Sequence, residues 1–235
     1  GPVHGEATFV DVFPNILTPW EHLASSARNL TYPALSRTAG YRYDSLRLQL
    51  EKLETERSAG ETTERIANLM RAHQVVVEGP EGRRQFPRLS LPKVENPEVS
   101  IIIPVHNKFE VTYHCLASLA LAWNKASFEV IVVDDCSTDR TTELPEIVEN
   151  VRVIVNEQNL GFLRNCNKAA GEARGDYLVM LNNDTEVTSG WLDELLDVFS
   201  RFEGVGLAGS KLIYPDGKLQ EAGGIVWGNG QPWNL

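Results

Sequence analysis

The chain has 235 residues, 42% of them hydrophobic, and a formal net charge of −10. That length suits one large domain or a domain with an appendage, and the acidic balance argues against a nucleic-acid binder, which needs a basic face. No apolar run approaches the ~18 residues of a membrane-spanning helix, Gly1 to Gly5 show no basic-then-apolar leader pattern, and Cys115, Cys136 and Cys166, at no metal-site spacing, read as reduced thiols.

Residues 1–40, punctuated by Pro14, Pro19 and Pro33, read as loop, with a helix only over Pro19 to Leu30. Residues 41–57 are helical in composition, and Tyr43, Leu46, Leu50 and Leu53 make one apolar stripe. Ser58-Ala59-Gly60-Glu61 breaks the pattern, and Ile66, Leu69, His73 and Val76 then repeat the spacing. Residues 1–78 are thus expected to form a helical region, a hairpin that covers its stripe within the chain or pairs with a second copy. His73 is expected to be a packing residue. Residues 79–98, with Pro80, Pro87, Pro92 and Pro97, read as a linker.

From Val99 strands and helices alternate. Val99 to Val105 is a β-branched run ending at Pro104-Val105-His106-Asn107, and residues 110–123 read as a helix. Phe128 to Val133 is a second strand ending at Asp134-Asp135-Cys136-Ser137, followed by a short helix before Pro145. Val151 to Val155 is a third strand, and Asn159-Leu160-Gly161 opens a helix running to about Arg174. Tyr177 to Leu181 is a fourth strand, ending at Asn182-Asn183-Asp184. A helix follows Thr188-Ser189-Gly190, and strands over Val205 to Tyr214 and Leu219 to Trp227 flank the Pro215-Asp216-Gly217 turn. The alternation predicts an α/β fold with a mainly parallel sheet and right-handed crossovers.

In such a sheet the carboxyl ends of the strands share one edge, where ligands bind. That places His106, Asn107, Asp134, Asp135, Asn183 and Asp184 together. The amides of the helix opening at Gly161 are expected to face a phosphate. A carboxylate beside neutral oxygen donors suits a hard cation, Mg²⁺ or Mn²⁺, with a diphosphate completing its shell. Asp135 is expected to accept from a base or ribose, Asp184 to hold the metal, and His106 to offer a ring for stacking. The plainer alternative is a set of strand-end turns and helix caps.

Residues 99–235 resemble the donor half of a family 2 glycosyltransferase with the GT-A fold, related to bacterial rhamnosyl- and O-antigen-type transferases. The residues that carry the resemblance are Val99 to Asn107 with Pro104, Val132 to Asp139, Asn159-Leu160-Gly161-Phe162 with Asn167, Leu181 to Thr185, and Glu221-Ala222-Gly223-Gly224. The resemblance implies an inverting transferase that takes a UDP- or dTDP-sugar with Mn²⁺ or Mg²⁺. It delivers the sugar to a glycan or lipid-linked acceptor in surface polysaccharide synthesis, in the cytoplasm or at the inner face of the membrane. It implies that His106 and Asp135 contact base and ribose, Asn183 the donor and Asp184 the metal. Cys136 stands where glycine is commoner, His106 where Tyr or Phe is, and Asn182-Asn183-Asp184 in place of a doubly acidic motif. Glu221 is a weak candidate for the catalytic base, which is expected beyond Leu235, so that residues 1–235 alone would bind donor without transferring it. A further catalytic domain or self-association through the N-terminal helices is a partner expectation. A non-catalytic donor-like scaffold is one alternative. A sugar nucleotidyltransferase is the other, although Pro104 to Phe109 lack the glycine-rich loop it would need.

Overall fold

The computed structural model describes residues 34–55, 61–216, 218–226 and 232–234. The helix expected over Pro19 to Leu30 and the break at Ser58 to Gly60 lie outside the described residues. Residues 36–189 form one compact unit, and residues 190–235 belong to a second.

Helix α1 spans Ala34–Thr55 and α2 spans Glu61–Glu78. The start of α1 corrects the expectation of loop up to residue 40. Ala34 to Gly40 contain no proline, and one glycine inside a helix costs only about 1 kcal/mol. Leu46, Leu53, Leu69 and Val76 of the predicted stripe are buried, and Tyr43 and Ile66 near its ends are exposed.

The proline-rich stretch that follows is tied down at its middle. Leu89–Ser90 form a short strand, β1, that pairs in parallel with β4, Val148–Glu149. Asn68 of α2 behaves like a second neighbouring strand: its amide donates to the Ser90 carbonyl at 2.9 Å and accepts from the Ser90 N–H at 2.8 Å. Leu89 and Leu91 are buried, and the Tyr113 hydroxyl donates to the Pro87 carbonyl.

The central sheet contains β2 (Val99–Val105), β3 (Phe128–Asp134), β5 (Val151–Val155) and β6 (Tyr177–Met180), all parallel, in the order β5-β3-β2-β6. The expected α/β fold, a parallel sheet flanked by helices, is therefore observed. Helix α3 (Phe109–Leu121) links β2 to β3, and α5 (Phe162–Ala170) links β5 to β6. The first connection moves along the sheet in one direction and the second in the other. Right-handed crossovers then put α3 and α5 on opposite faces. Ile102, Ile131 and Val133 pack with Ala169 of α5. Ile101, Ile103, Val130 and Val132 alternate to the other face and are equally buried. α3 is buried nearly all round, with only Glu110 and Val111 short of burial, as befits a helix packed on more than one side.

Gly175 stands where the chain enters β6. A Cβ there would lie 2.5 Å from the Ser100 nitrogen and 2.8 Å from the Val99 Cα, so close approach of two backbones requires glycine. α5 ends at Ala170 rather than near Arg174 because the chain must turn into this contact: the Arg174 N–H donates to the Ser100 hydroxyl at 3.1 Å and to Glu129 at 2.9 Å. Before Pro145 there is a 3₁₀ turn, Arg140–Glu143. Pro145 itself lies in the first turn of the short α4, Leu144–Ile147, where a missing N–H is harmless.

In the second unit α6 spans Trp191–Arg201. The strand expected over Val205 to Tyr214 is confined to β7, Leu212–Ile213, which pairs antiparallel with β8, Leu219–Glu221. The strand expected over Leu219 to Trp227 is divided at Gly223, whose φ of 126° interrupts it, into β8 and β9, Gly224–Val226. β9 pairs with β10, Pro232–Asn234.

Candidate functional site

β2, β3 and β6 run parallel in register, so their polar ends emerge on one edge, as the sequence predicts. Two loops are stitched together there. The His106 Nδ1–H donates to the Asp135 carbonyl at 2.8 Å, which fixes the ring's tautomer. The Asn107 N–H donates to the Ser137 hydroxyl at 2.7 Å, and Asn107 Oδ1 accepts from the Thr138 N–H at 2.8 Å. The Phe109 N–H donates to Asp139 at 2.9 Å. Asn107, Lys108 and Cys136 are all left-handed, with φ near 60°, which lets each loop reverse within a few residues. His106 stays exposed. Pro104 is half-buried in β2 opposite Val133, past the last β2–β6 pair at Ile102, so its missing N–H falls where β6 no longer pairs.

Asp134 and Asp135 do not both face the edge. Asp134 is fully buried; its Oδ1 accepts from the Ser137 N–H at 3.0 Å, and its Oδ2 has no partner among the described residues. Asp135 is 4% exposed. Its Oδ1 accepts from Asn156 Nδ2 at 2.9 Å and the Leu160 N–H at 2.7 Å, and its Oδ2 from the Gly161 N–H at 2.9 Å. Burial pushes this carboxyl up, but those donors outweigh it and hold it below the usual carboxylate range. This corrects the expectation that the Gly161 amide is open to a phosphate: a protein carboxylate already takes it. Behind it, Asn156 Nδ2 also donates to Asn165 Oδ1 at 2.7 Å, Asn165 donates to the Val133 carbonyl at 3.0 Å, and Lys168 donates to Asn156 Oδ1 at 2.7 Å. Asn167 is exposed on α5.

The loop after β6 is held from the α3 side. Asn183 donates to Thr112 Oγ1 at 2.9 Å, and the Thr185 N–H closes a turn onto the Asn182 carbonyl at 3.2 Å. Asp184 is exposed, and among the described residues its carboxylate has no hydrogen bond or ion pair. The nearby Cys115 thiol is pushed up to about 12 by burial and by the Asp184 charge, so it is inert. Glu186, by contrast, is engaged: Arg42 donates to it twice, at 2.8 and 2.7 Å, and His114 Nε2 is 3.2 Å away. Burial pushes this carboxyl up, and Arg42 and His114 more than reverse the effect, leaving it low.

Among the described residues no three His, Cys, Asp or Glu side chains gather into a metal cage. Mg²⁺ and Mn²⁺ bound alongside substrate phosphates need only one or two carboxylates, with water filling the shell. An exposed carboxylate without a partner, Asp184, fits that mode. Glu221 lies in β8 of the second unit, paired with Leu212. Asn156, Asn165, Thr112, His114 and Arg42 were not singled out from the sequence. Asn156 follows a strand end like the others, so the same rule applied to Val151 to Val155 finds it. Arg42, 144 residues from Glu186, leaves no local signal.

A family model, glycosyl transferase family 2, matches residues 100–225. The O-antigen biosynthesis protein RfbC of Myxococcus xanthus is 35% identical over 59% of this chain and 11% of its own length. The putative teichuronic acid biosynthesis glycosyltransferase TuaG of Bacillus subtilis is 31% identical over 52% of this chain and 50% of its own. The chain thus spans half or less of each of these relatives. Among solved structures, S. aureus TarS 1-349 in complex with UDP aligns over 48% of this chain and 39% of that one, at 26% identity and a TM-score of 0.39.

Proposed function

Because the chain belongs to glycosyl transferase family 2, we propose that it binds a nucleotide-diphosphate sugar on the carboxyl edge of the sheet and serves inverting transfer of that sugar. The observation that carries the reading is the division of labour among the edge carboxylates. Asp134 is sealed in, Asp135 and Asp139 hold loops, and Glu186 is ion-paired. Asp184, at the end of β6, has no bonded partner among the described residues. Asp184 would hold Mn²⁺ or Mg²⁺ against the donor diphosphate, with the Asn183 carboxamide beside it. His106, exposed with its ring fixed by the Asp135 carbonyl, would flank the base. When bound, the ion offsets the charge growing on the leaving diphosphate. The acceptor hydroxyl approaches the anomeric carbon from the face opposite the nucleotide.

The acceptor is a glycan or lipid-linked glycan of a surface polysaccharide, a reading supported by relatives named for O-antigen and teichuronic acid biosynthesis. The work would be done on the cytoplasmic side of the membrane, where sugar nucleotides are made. In this reading the donor domain extends over residues 99–235, and helices α1 and α2 support it.

Thermal unfolding tests the donor class. A ligand present at a hundred times its Kd stabilises by about 2.7 kcal/mol. A UDP- or dTDP-sugar with Mn²⁺ is expected to raise the Tm by several degrees, and ATP is not. No shift with any nucleotide-diphosphate sugar, with or without metal, would reject the reading.

A further inference from the structure

We infer that Arg42, on a helix outside the family-matched segment, is a positioning residue for the Asn182–Asp184 loop, acting through Glu186. The inference rests on the proposed donor site and deepens it. Among the described residues Asp184 has no bond of its own to fix it, so its place is set by what holds the residues on either side. On one side the Leu181 N–H continues the sheet to the Ile102 carbonyl at 2.9 Å, and Asn183 donates to Thr112 Oγ1 at 2.9 Å, which hold the loop's first half. On the other, the chain is pinned in succession. Glu186 bonds to Arg42 and His114, the Val187 N–H to the Ser118 hydroxyl at 3.1 Å, and the Ser189 hydroxyl to Ser45 at 2.9 Å.

Every partner in that second group comes from α1 or α3. Among them Arg42–Glu186 is the charged, two-pronged contact. Exposed ion pairs contribute little, about 0–1 kcal/mol. This one differs in geometry and setting: the guanidinium fork meets both carboxylate oxygens, the side chains are only 21% and 24% exposed, and the partners are 144 residues apart. Without Arg42, Glu186 keeps, among the described residues, only His114 in a mostly buried position. The carboxylate then turns toward water and takes Asp184, two residues away, with it. The N-terminal helix is thereby part of the donor site's architecture without touching the donor.

A merely structural pair would lower stability and weaken all nucleotide binding alike, whereas a positioning pair affects the metal-dependent part alone. The test measures the Kd for UDP and for dTDP in Mn²⁺ and in EDTA, for wild type, R42Q, E186Q and R42K. The wild type is expected to bind more tightly in Mn²⁺. In R42Q and E186Q that gain should shrink about tenfold, with the EDTA value unchanged within about twofold. R42K, which keeps the charge but loses the fork, should fall between. Should R42Q fail to fold, E186Q, which preserves shape, carries the same comparison. Retention of the full Mn²⁺ gain in E186Q, or equal losses in Mn²⁺ and EDTA, would overturn the inference and leave the donor site standing. A wild type that binds neither nucleotide would overturn the donor site and the inference together, and a wild type that binds them with no Mn²⁺ gain would overturn the metal role of Asp184 and the inference with it; the wild-type arm alone reports either.

Discussion

Cys136 occupies a left-handed position, φ 63°, at the point where the loop after β3 turns to meet Asn107. A non-glycine residue there carries roughly 1–2 kcal/mol of strain, and glycine's greater freedom in the unfolded chain gives back part of that, about 0.5–1 kcal/mol. C136G is therefore expected to be neutral or to stabilise by up to about 1 kcal/mol, read from urea unfolding, where a Cys→Gly change at an ordinary position would destabilise. Gly175 is the opposite case. Its need is space rather than dihedral freedom, since an added Cβ meets the backbone of Val99 and Ser100. G175A is expected to destabilise by about 1–3 kcal/mol or more; an unchanged midpoint would mean that β2 and β6 can separate at no cost. At this scale the sequence is legible only in part. Cys136 departs from the glycine that the family resemblance implies there, but the demand on Gly175 comes from a strand 75 residues earlier and has no local trace.

The elements themselves are largely readable, because a β-branched run such as Val99 to Val105 is a buried strand with few alternatives, and Val151 to Val155, though only partly buried, is still a strand by its β-branched composition. What sequence periodicity misses is how the ends of elements are tied. Glu129, near the start of β3, is buried and accepts from the Ser100 hydroxyl at 2.8 Å, from Arg174 at 3.0 and 2.7 Å and from Arg152 at 3.0 Å. Burial pushes its carboxyl up, but these donors, Arg174 first, bring it down to about 2. A carboxyl depressed on folding contributes stability that is fully present above its unfolded pKa, about 4.3, and is lost as pH falls through the folded value. The wild type should thus lose Tm between about pH 4.3 and pH 2, and E129Q should show a flatter profile there. At pH 7 E129Q should be less stable by about 2 kcal/mol, from hydrogen bonds to a charged group. Parallel pH profiles for the two proteins would show that Glu129 does not carry the acid sensitivity. The helix opening at Gly161 shows the same limit of local reading. The Gly161 amide looks open in the sequence, but Asp135, 26 residues earlier, accepts from it.

In residues 36–189 the N-terminal helices lie in the same compact unit as the sheet, and the loop bearing Asp184 is held between sheet and helices. The site's strand-end residues were legible because parallel strands must deliver their polar ends to one edge. Which of those carboxylates remains open was not, since it depends on Asn156, Leu160 and Arg42, each brought in from another element. The central claim is that Asp184 holds a divalent ion against a nucleoside diphosphate on this edge. The most direct measurement is calorimetric titration of UDP and dTDP into wild type and D184N, each in Mn²⁺ and in EDTA, with the Tm of both proteins recorded. Exposed and, among the described residues, without a bonded partner, Asp184 should be replaceable with a change within about 0.5 kcal/mol in stability. The wild type should bind nucleotide more tightly in Mn²⁺, and D184N should lose that gain at unchanged Tm. Equal affinity of wild type and D184N for the nucleotide in Mn²⁺ would contradict the claim.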